Sequence, residues 1–422
     1  MTTPSSSTTW LGMDRRVLAL AFARMADALG NSFLIIVLPL YVASGQVAGD
    51  TFGLPSSMIA GLVLALFGIA SSLTQPFAGR FSDRLGQRKS FVLVGLLVFS
   101  VINFAFVWAD SYLILFGLRL GQGMAAALTI TASIALVNEV SHGGTRGRNM
   151  GVYNAFRLVG FGSGPLAASL LVEGGPYTLP WRAEPMTGFE ASFYVAAGGA
   201  LVSALLVYGL VSDPEDTQPT RERLALSIWH PERRWHLDPI VALGVVTLVM
   251  AACFSMLSAI EPEVNARLDQ TPVWFAIEFI ALIAALAIVQ PLIGRASDQY
   301  GRRPFILIGL IGLIPTTLGQ GLVDTPTQMI LVRAAQGVAG ACVFAPALAL
   351  AGDLTTEGQS GAQLSVLTIS FGLGIACGQL LAGSLLPLGF VVPFAIGASL
   401  AAVGLGIVLT QVPRRPAPET AS

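Results

Sequence analysis

Arg24, Asp27 and Asn31 stand three and four residues apart in "AFARMADALGNSF". On a helix that spacing sets a guanidinium, a carboxylate and an amide on one face. Such a trio can carry a proton, bind a polar solute, or form a self-satisfied structural pair. Burial would raise the Asp27 carboxyl pKa and the neighbouring arginine would lower it, and the sequence leaves that contest open. Further along, Arg119 and Gln122 are three apart, and Tyr153, Asn154 and Arg157 share a face in "YNAFR". That second face suits either the lining of a cavity or a hydrogen-bonded helix contact. Glu278 is either an interfacial residue or a second titrating carboxylate. The three histidines (His142, His230, His236) fall in polar connections, and Cys253, Cys342 and Cys377 fall in apolar runs, where cysteine serves as a small packing residue. Neither set reads as a metal site, so no metal and no cofactor are expected.

The elements that must position these groups are membrane helices. The chain of 422 residues is 54% hydrophobic and 11% charged, with mean hydropathy +0.72, against about 25% charged for soluble domains. Twelve apolar runs are long enough to cross a bilayer core of about 30 Å, at 16–44, 57–79, 90–108, 112–137, 150–173, 190–211, 239–260, 273–294, 304–322, 327–351, 362–386 and 389–411. They are too long and too continuously apolar for barrel strands, which alternate over about ten residues. With a cytoplasmic N-terminus, cytoplasmic segments hold seventeen basic residues, from Arg15 and Arg16 to Arg414 and Arg415, and the outer connections hold Arg182 and Arg267. That asymmetry obeys the positive-inside rule. Asp27 then lies ~16 Å along its helix, near the membrane midplane, where an ionisable group usually faces a cavity or a partner. Arg333 falls nearer the outer end of its span and is expected at the interface. Gln336, Gln379, Thr368 and Ser370 are the other polar candidates of the second half.

The chain repeats itself. "QPFAGRFSDRLGQRKS" (75–90) is echoed by "QPLIGRASDQYGRRPF" (290–305), so that Gly79, Asp83, Gly86 and Arg88 recur as Gly294, Asp298, Gly301 and Arg303. "RLGQGMAAA" from Arg119 is echoed by "RAAQGVAGA" from Arg333. Both halves start on the same membrane side, a parallel repeat about an axis along the membrane normal. The expected organisation is an N-terminal six-helix bundle (1–211), a cytoplasmic linker (212–238), in which Leu224–Trp229 could lie at the interface, and a C-terminal six-helix bundle (239–422). The glycine-rich basic loop is no phosphate cradle, because membrane spans flank it on both sides. "GFGSG" (160–164) sits within a span, so it is no dinucleotide fingerprint; Gly160 and Gly164 permit close helix approach or, with Pro165, a flexible point.

These residues resemble the major facilitator superfamily. Its signature between spans 2 and 3 matches Gly79, Asp83, Gly86, Gln87, Arg88 and Lys89, and its weaker copy between spans 8 and 9 matches Gly294, Asp298, Gly301, Arg302 and Arg303. Its span-4 pattern matches Arg119, Gln122 and Gly123. The span-5 pattern of the twelve-span drug:proton antiporters matches Gly160, Gly164 and Pro165, although the small residues that usually follow are displaced by Leu166. The resemblance implies an all-α fold of twelve transmembrane helices in two six-helix bundles, with Asp83, Gly86 and Arg88 latching the cytoplasmic side across the halves and Arg119 facing a central cavity.

The function expected is secondary transport in the plasma membrane. Asp27 would carry a proton, with Arg24 or Arg119 tuning it, and lipophilic small molecules would be exported. Uptake or facilitated passage of a sugar or organic anion is the alternative, since Arg24, Arg119 and Arg157 outweigh Asp27 in charge. A membrane sensor is the remote alternative. No catalytic constellation and no nucleotide-binding loop are read. The expected partners are a small-molecule substrate, protons and the lipid bilayer, with no nucleic acid and a monomeric protein.

Overall fold

The protein was analysed as a computed structural model, which describes residues 9–10, 13–49, 51, 53–141, 146–213, 237–354 and 360–412. A two-residue antiparallel pairing, Thr9–Trp10 with Met13–Asp14, precedes the helices. These are α1 (Arg15–Ala43), α2 (Ser56–Leu85), α3 (Arg88–Ala105), α4 (Tyr112–Val140), α5 (Arg146–Gly174), α6 (Gly188–Leu210), α7 (Pro239–Ala259), α8 (Glu261–Leu268), α9 (Pro272–Tyr300), α10 (Arg302–Gln320), α11 (Pro326–Asp353), α12 (Ser360–Leu385) and α13 (Val392–Gln411). Among the described residues, twelve helices are long and apolar enough to span a membrane; α8 is a short extra turn between two of them. Most of the linker expected at 212–238, its Leu224–Trp229 segment and the three histidines lie outside the described residues.

The helices begin where the sequence supplies acceptors for the free N–H groups of a first turn. Ser111 Oγ accepts from Ile114 N–H at the start of α4, and Thr325 Oγ1 from Gln328 N–H at the start of α11, 214 positions later. Thr187 and Glu190 form a reciprocal capping box on α6. Asp238 accepts from Ile240 N–H, with Pro239 opening α7.

α2 and α9 run six residues past the apolar runs that predict them. Hydropathy marks where a chain leaves lipid, whereas the backbone ladder continues until something breaks it. Gly86 (φ +63°) and Gly301 (φ +93°) break it, in a conformation that side chains with a Cβ avoid. Asp83 and Asp298 are therefore in the last turns of helices, and neither caps a helix N-terminus.

Two compact units result. Met1–Gly49 with Leu73–Thr220 form the first, and Asp50–Ser72 with Arg221–Ser422 the second. In the first, α1 packs on α5 and α6, and α3 on α4 and α6, around Val17, Leu20, Leu96, Leu136, Tyr153 and Val207. In the second, α7 packs on α12 and α13, α9 on α11, and α10 on α11 and α13, around Leu243, Val246, Met250, Leu310, Leu313 and Val343.

Lipid tails are as apolar as leucine, so close packing rather than escape from water must hold such helices together. The repeat supplies it twice. A Cβ on Gly160 would strike the Met25 carbonyl of α1, and one on Gly164 would lie 2.7 Å from Leu29 O. A Cβ on Gly374 would strike Leu248 O of α7, and one on Gly378 would strike Ala252 O. The glycine pairs thus sit at the closest approach of α5 to α1 and of α12 to α7. Gly79 and Gly294, in contrast, have nothing within 4 Å of an added Cβ, so neither marks a close helix approach.

Candidate functional site

In the first unit the carboxylate of Asp27 is 3% exposed and accepts from Arg24 Nη1, three residues back on α1. Tyr153 comes to the same place from α5. It is 1% exposed, and its hydroxyl lies 2.6 Å from Ser133 Oγ of α4. Tyr153 is within electrostatic reach of Arg24, Asp27 and Arg157. Arg157 also feels Arg24, and among the described residues no hydrogen bond or ion pair holds its guanidinium. The structure therefore brings Arg24, Asp27, Tyr153 and Arg157 together, two cations against one anion. Asn31 is half-buried one turn along α1 and Asn154 is exposed.

Arg119 is buried on α4, where it donates to Gln122 Oε1 at 2.5 Å, and Gln122 Nε2 donates to Asn103 Oδ1 of α3 at 2.7 Å. Through Gln122 this arginine belongs to a network that links α4 to α3. The second unit repeats the arginine–glutamine core of that network, with Thr317 where the first has Asn103. Arg333 donates to Gln336 Oε1 at 2.8 Å and to the Phe254 carbonyl at 3.1 Å, and Gln336 Nε2 reaches Thr317 Oγ1 at 3.3 Å. Arg333 is 1% exposed, so its side chain is packed inside the protein. Depth along a helix does not tell which face a residue takes, and this one turns inward.

Glu278 is likewise buried, at 0% exposure. Neither of its carboxylate oxygens has a hydrogen-bond partner among the described residues. Its polar neighbours are Gln270, from the turn after α8, and Arg333. Near it is Glu261, which begins α8, is 0% exposed and has Oε2 unpartnered. Asn265 Nδ2 reaches Glu261 Oε1 at 3.5 Å, and Gln270 Nε2 donates to Asn265 Oδ1 at 3.1 Å. Burial pushes the Glu261 carboxyl well above the usual glutamate range. The Asn265 contact opposes that, and the charges of Glu278 and Glu263 reinforce it. Sequence reading passed over Glu261 because it follows the apolar run and looks like a loop residue; nothing local signals that α8 folds it inward.

On the cytoplasmic side, Arg88 is buried and holds three groups. Asp83 Oδ1 lies 2.6 Å from Nη1, Ser82 Oγ 2.9 Å from the same nitrogen, and Glu139 Oε1 3.0 Å from Nε and Nη2. Glu139 ends α4, so one arginine ties α2, α3 and α4. The partners found for Asp83 and Arg88 among the described residues lie within the first unit. In the echo, Arg302 holds Asp298 and, at 2.7 Å, Asp353 at the end of α11. Arg303 instead reaches the Leu409 carbonyl at 3.0 Å. The echo's arginine is thus Arg302, one place before the one that motif alignment selects. Glu139 and Asp353 were missed by sequence reading, although their separation of 214 positions, that of Arg119 and Arg333, was a usable signal. No group of three metal-ligating side chains occurs among the described residues.

The family model described as Major Facilitator Superfamily matches residues 20–269 and 243–422. The chain belongs to the Major Facilitator Superfamily. It is therefore a transporter, a multi-pass protein of the cell membrane. Two similar members are the quinolone resistance protein NorA of Staphylococcus aureus (strain MRSA252), 24% identical over 94% of this chain and 97% of that protein, and multidrug resistance protein 2 of Bacillus subtilis (strain 168), 25% identical over 90% of this chain and 91% of that protein. Among solved superfamily structures, a peptide transporter POT in complex with sulfate shares the fold at TM-score 0.78 and 14% identity, covering 96% of this chain and 95% of that one. The human organic anion transporter MFSD10 shares it at TM-score 0.70 and 19% identity, covering 93% and 99%.

Proposed function

We propose that this superfamily member is a proton-driven exporter of lipophilic small molecules, working by alternating access. The observation that carries the reading is the buried Arg24–Asp27 pair beside Tyr153 and Arg157. A carboxylate in that position has two stable arrangements. Ionised, it accepts from Arg24. Protonated, it no longer needs the cation, and Arg24 is left to find another acceptor. An equilibrium between two conformations moves only when a ligand favours one of them, and a proton on Asp27 supplies that difference. The spans are dominated by Ala, Leu, Gly, Val, Ile and Phe, which suits an apolar or amphipathic solute better than a sugar. The names of the similar proteins, a quinolone resistance protein and a multidrug resistance protein, support export.

A second reading has one observation in its favour. Arg157 presents a guanidinium without a bonded partner among the described residues, beside Arg24, and two cations facing one carboxylate suit an organic anion. Everted membrane vesicles separate the two. The first reading expects dye accumulation that collapses with the proton gradient and is lost in Asp27→Asn. Accumulation of a labelled organic acid instead, lost in Arg157→Ala and indifferent to Asp27→Asn, favours the second.

A further inference from the structure

The second unit holds a group that the proposed mechanism does not use. Glu261 and Glu278 are both fully buried and within electrostatic reach of each other, and three of their four carboxylate oxygens lack a partner. Unpartnered buried oxygens are costly, and two buried carboxylates within electrostatic reach of each other resist ionising together unless a cation compensates. The charged groups in reach are Glu263 on α8, which adds negative charge, and Arg333 on α11, whose Nη1 is already given to Gln336 and the Phe254 carbonyl. Arg333 can balance one of the two carboxylates, so one positive charge is missing even before Glu263 is counted.

We propose that Glu261 and Glu278 share one exchangeable proton, giving the second unit a proton site of its own, separate from Asp27. Water at the outer end of α7 delivers it by way of the half-buried Gln270, and one carboxyl carries it while the other stays ionised. When the proton leaves, the Glu278 carboxylate becomes an acceptor for Arg333, whose Nε has no partner. Arg333 is then drawn from Gln336, and the α10–α11 network is loosened. The repeat shows what is special here. The first half has the same arginine network, but the place matching Glu278, 215 positions earlier, is Val63. Only the use of this proton in transport rests on the proton-driven reading; the site itself does not.

The test is infrared difference spectroscopy of the purified full chain in liposomes, titrated from acid to alkaline pH in water and heavy water. The Asp27→Asn variant is expected to keep a protonated-carboxyl band at neutral pH that disappears on alkalinisation. The band should be lost in Glu278→Gln and in Glu261→Gln made on that background. Absence of any such band in Asp27→Asn overturns the proposal and needs no further variant to fold. A band unchanged in both glutamine variants overturns it as well. Displacement of the band by sodium chloride but not by choline chloride would make the site a sodium site and also overturns it. Loss of dye transport in Asp27→Asn with the band intact separates this proposal from the fate of Asp27.

Discussion

Arg302, not Arg303, is the structural counterpart of Arg88. Each is the first residue of its helix, and each joins an aspartate from the helix before to an acid ending the helix after. The copies differ by the one residue, Gln87, that separates Gly86 from Arg88 and has no equivalent between Gly301 and Arg302. Aligned by eye the motif pairs Arg88 with Arg303; aligned by helix start it pairs Arg88 with Arg302, and the longer repeat of 214 positions agrees.

This pairing predicts unequal costs. Arg88 is buried, so Arg88→Gln leaves Asp83 and Glu139 uncompensated and should destabilise the purified protein by about 3 kcal/mol. Arg302 faces half-exposed carboxylates, and Arg302→Gln should cost ~1 kcal/mol. Thermal unfolding in detergent reads both. Equal losses for Arg88→Gln and Arg302→Gln would refute the ranking.

The twelve spans were legible because lipid imposes a single requirement, about twenty apolar residues per crossing. Helix ends were less so, since Asp83 and Asp298 continue helices beyond the lipid. Arg24 and Asp27 were found from spacing alone because their contact is local. The burial of Arg119 and Arg333 was not legible, because the groups that complete their networks, Asn103 through Gln122, Thr317 through Gln336, and the Phe254 carbonyl, come from other helices. Glu261 went unseen for the same reason: burial is a property of packing, and its neighbours Gln270 and Glu278 arrive only once α8 has folded back.

Packing at the glycine pair gives a second contrast. Gly160→Leu must push α5 off the Met25 carbonyl, an overpacking that costs about 1–3 kcal/mol or more. Gly79→Leu meets open space and should leave the protein folded and monodisperse. Size-exclusion profiles of the two variants decide it, and a well-behaved Gly160→Leu would contradict the close approach of α1 and α5.

The raised pKa of Glu261 makes stability depend on pH with a definite sign. The folded protein keeps a proton that the unfolded chain releases above about 4.5, the ordinary glutamate value. Between that value and the folded pKa the native state binds more protons, so stability falls as pH rises, by ~1.4 kcal/mol per unit of pH for one proton. The contribution is complete below 4.5 and is lost on passing through the folded pKa. Glu261→Gln keeps the neutral shape and should flatten this slope between mildly acidic and neutral pH. A thermal-unfolding series against pH with the same slope in both proteins would show that Glu261 is not the group responsible.

Asp27 and Arg24 are coupled in stability and separable in function. Asp27→Asn leaves a buried guanidinium without its carboxylate, and removing one partner of a buried pair costs about 3–5 kcal/mol. Removing both, in the Arg24→Gln and Asp27→Asn double variant, should restore most of that loss, because two neutral amides can bond to each other. Transport should not return, since no titratable group remains at the site. The measurements are unfolding temperatures of the four proteins of the cycle and their proton-driven dye efflux. A purely structural pair predicts that efflux recovers with stability in the double variant. A proton carrier predicts a stable protein that does not pump, and that split between the two readouts distinguishes the roles.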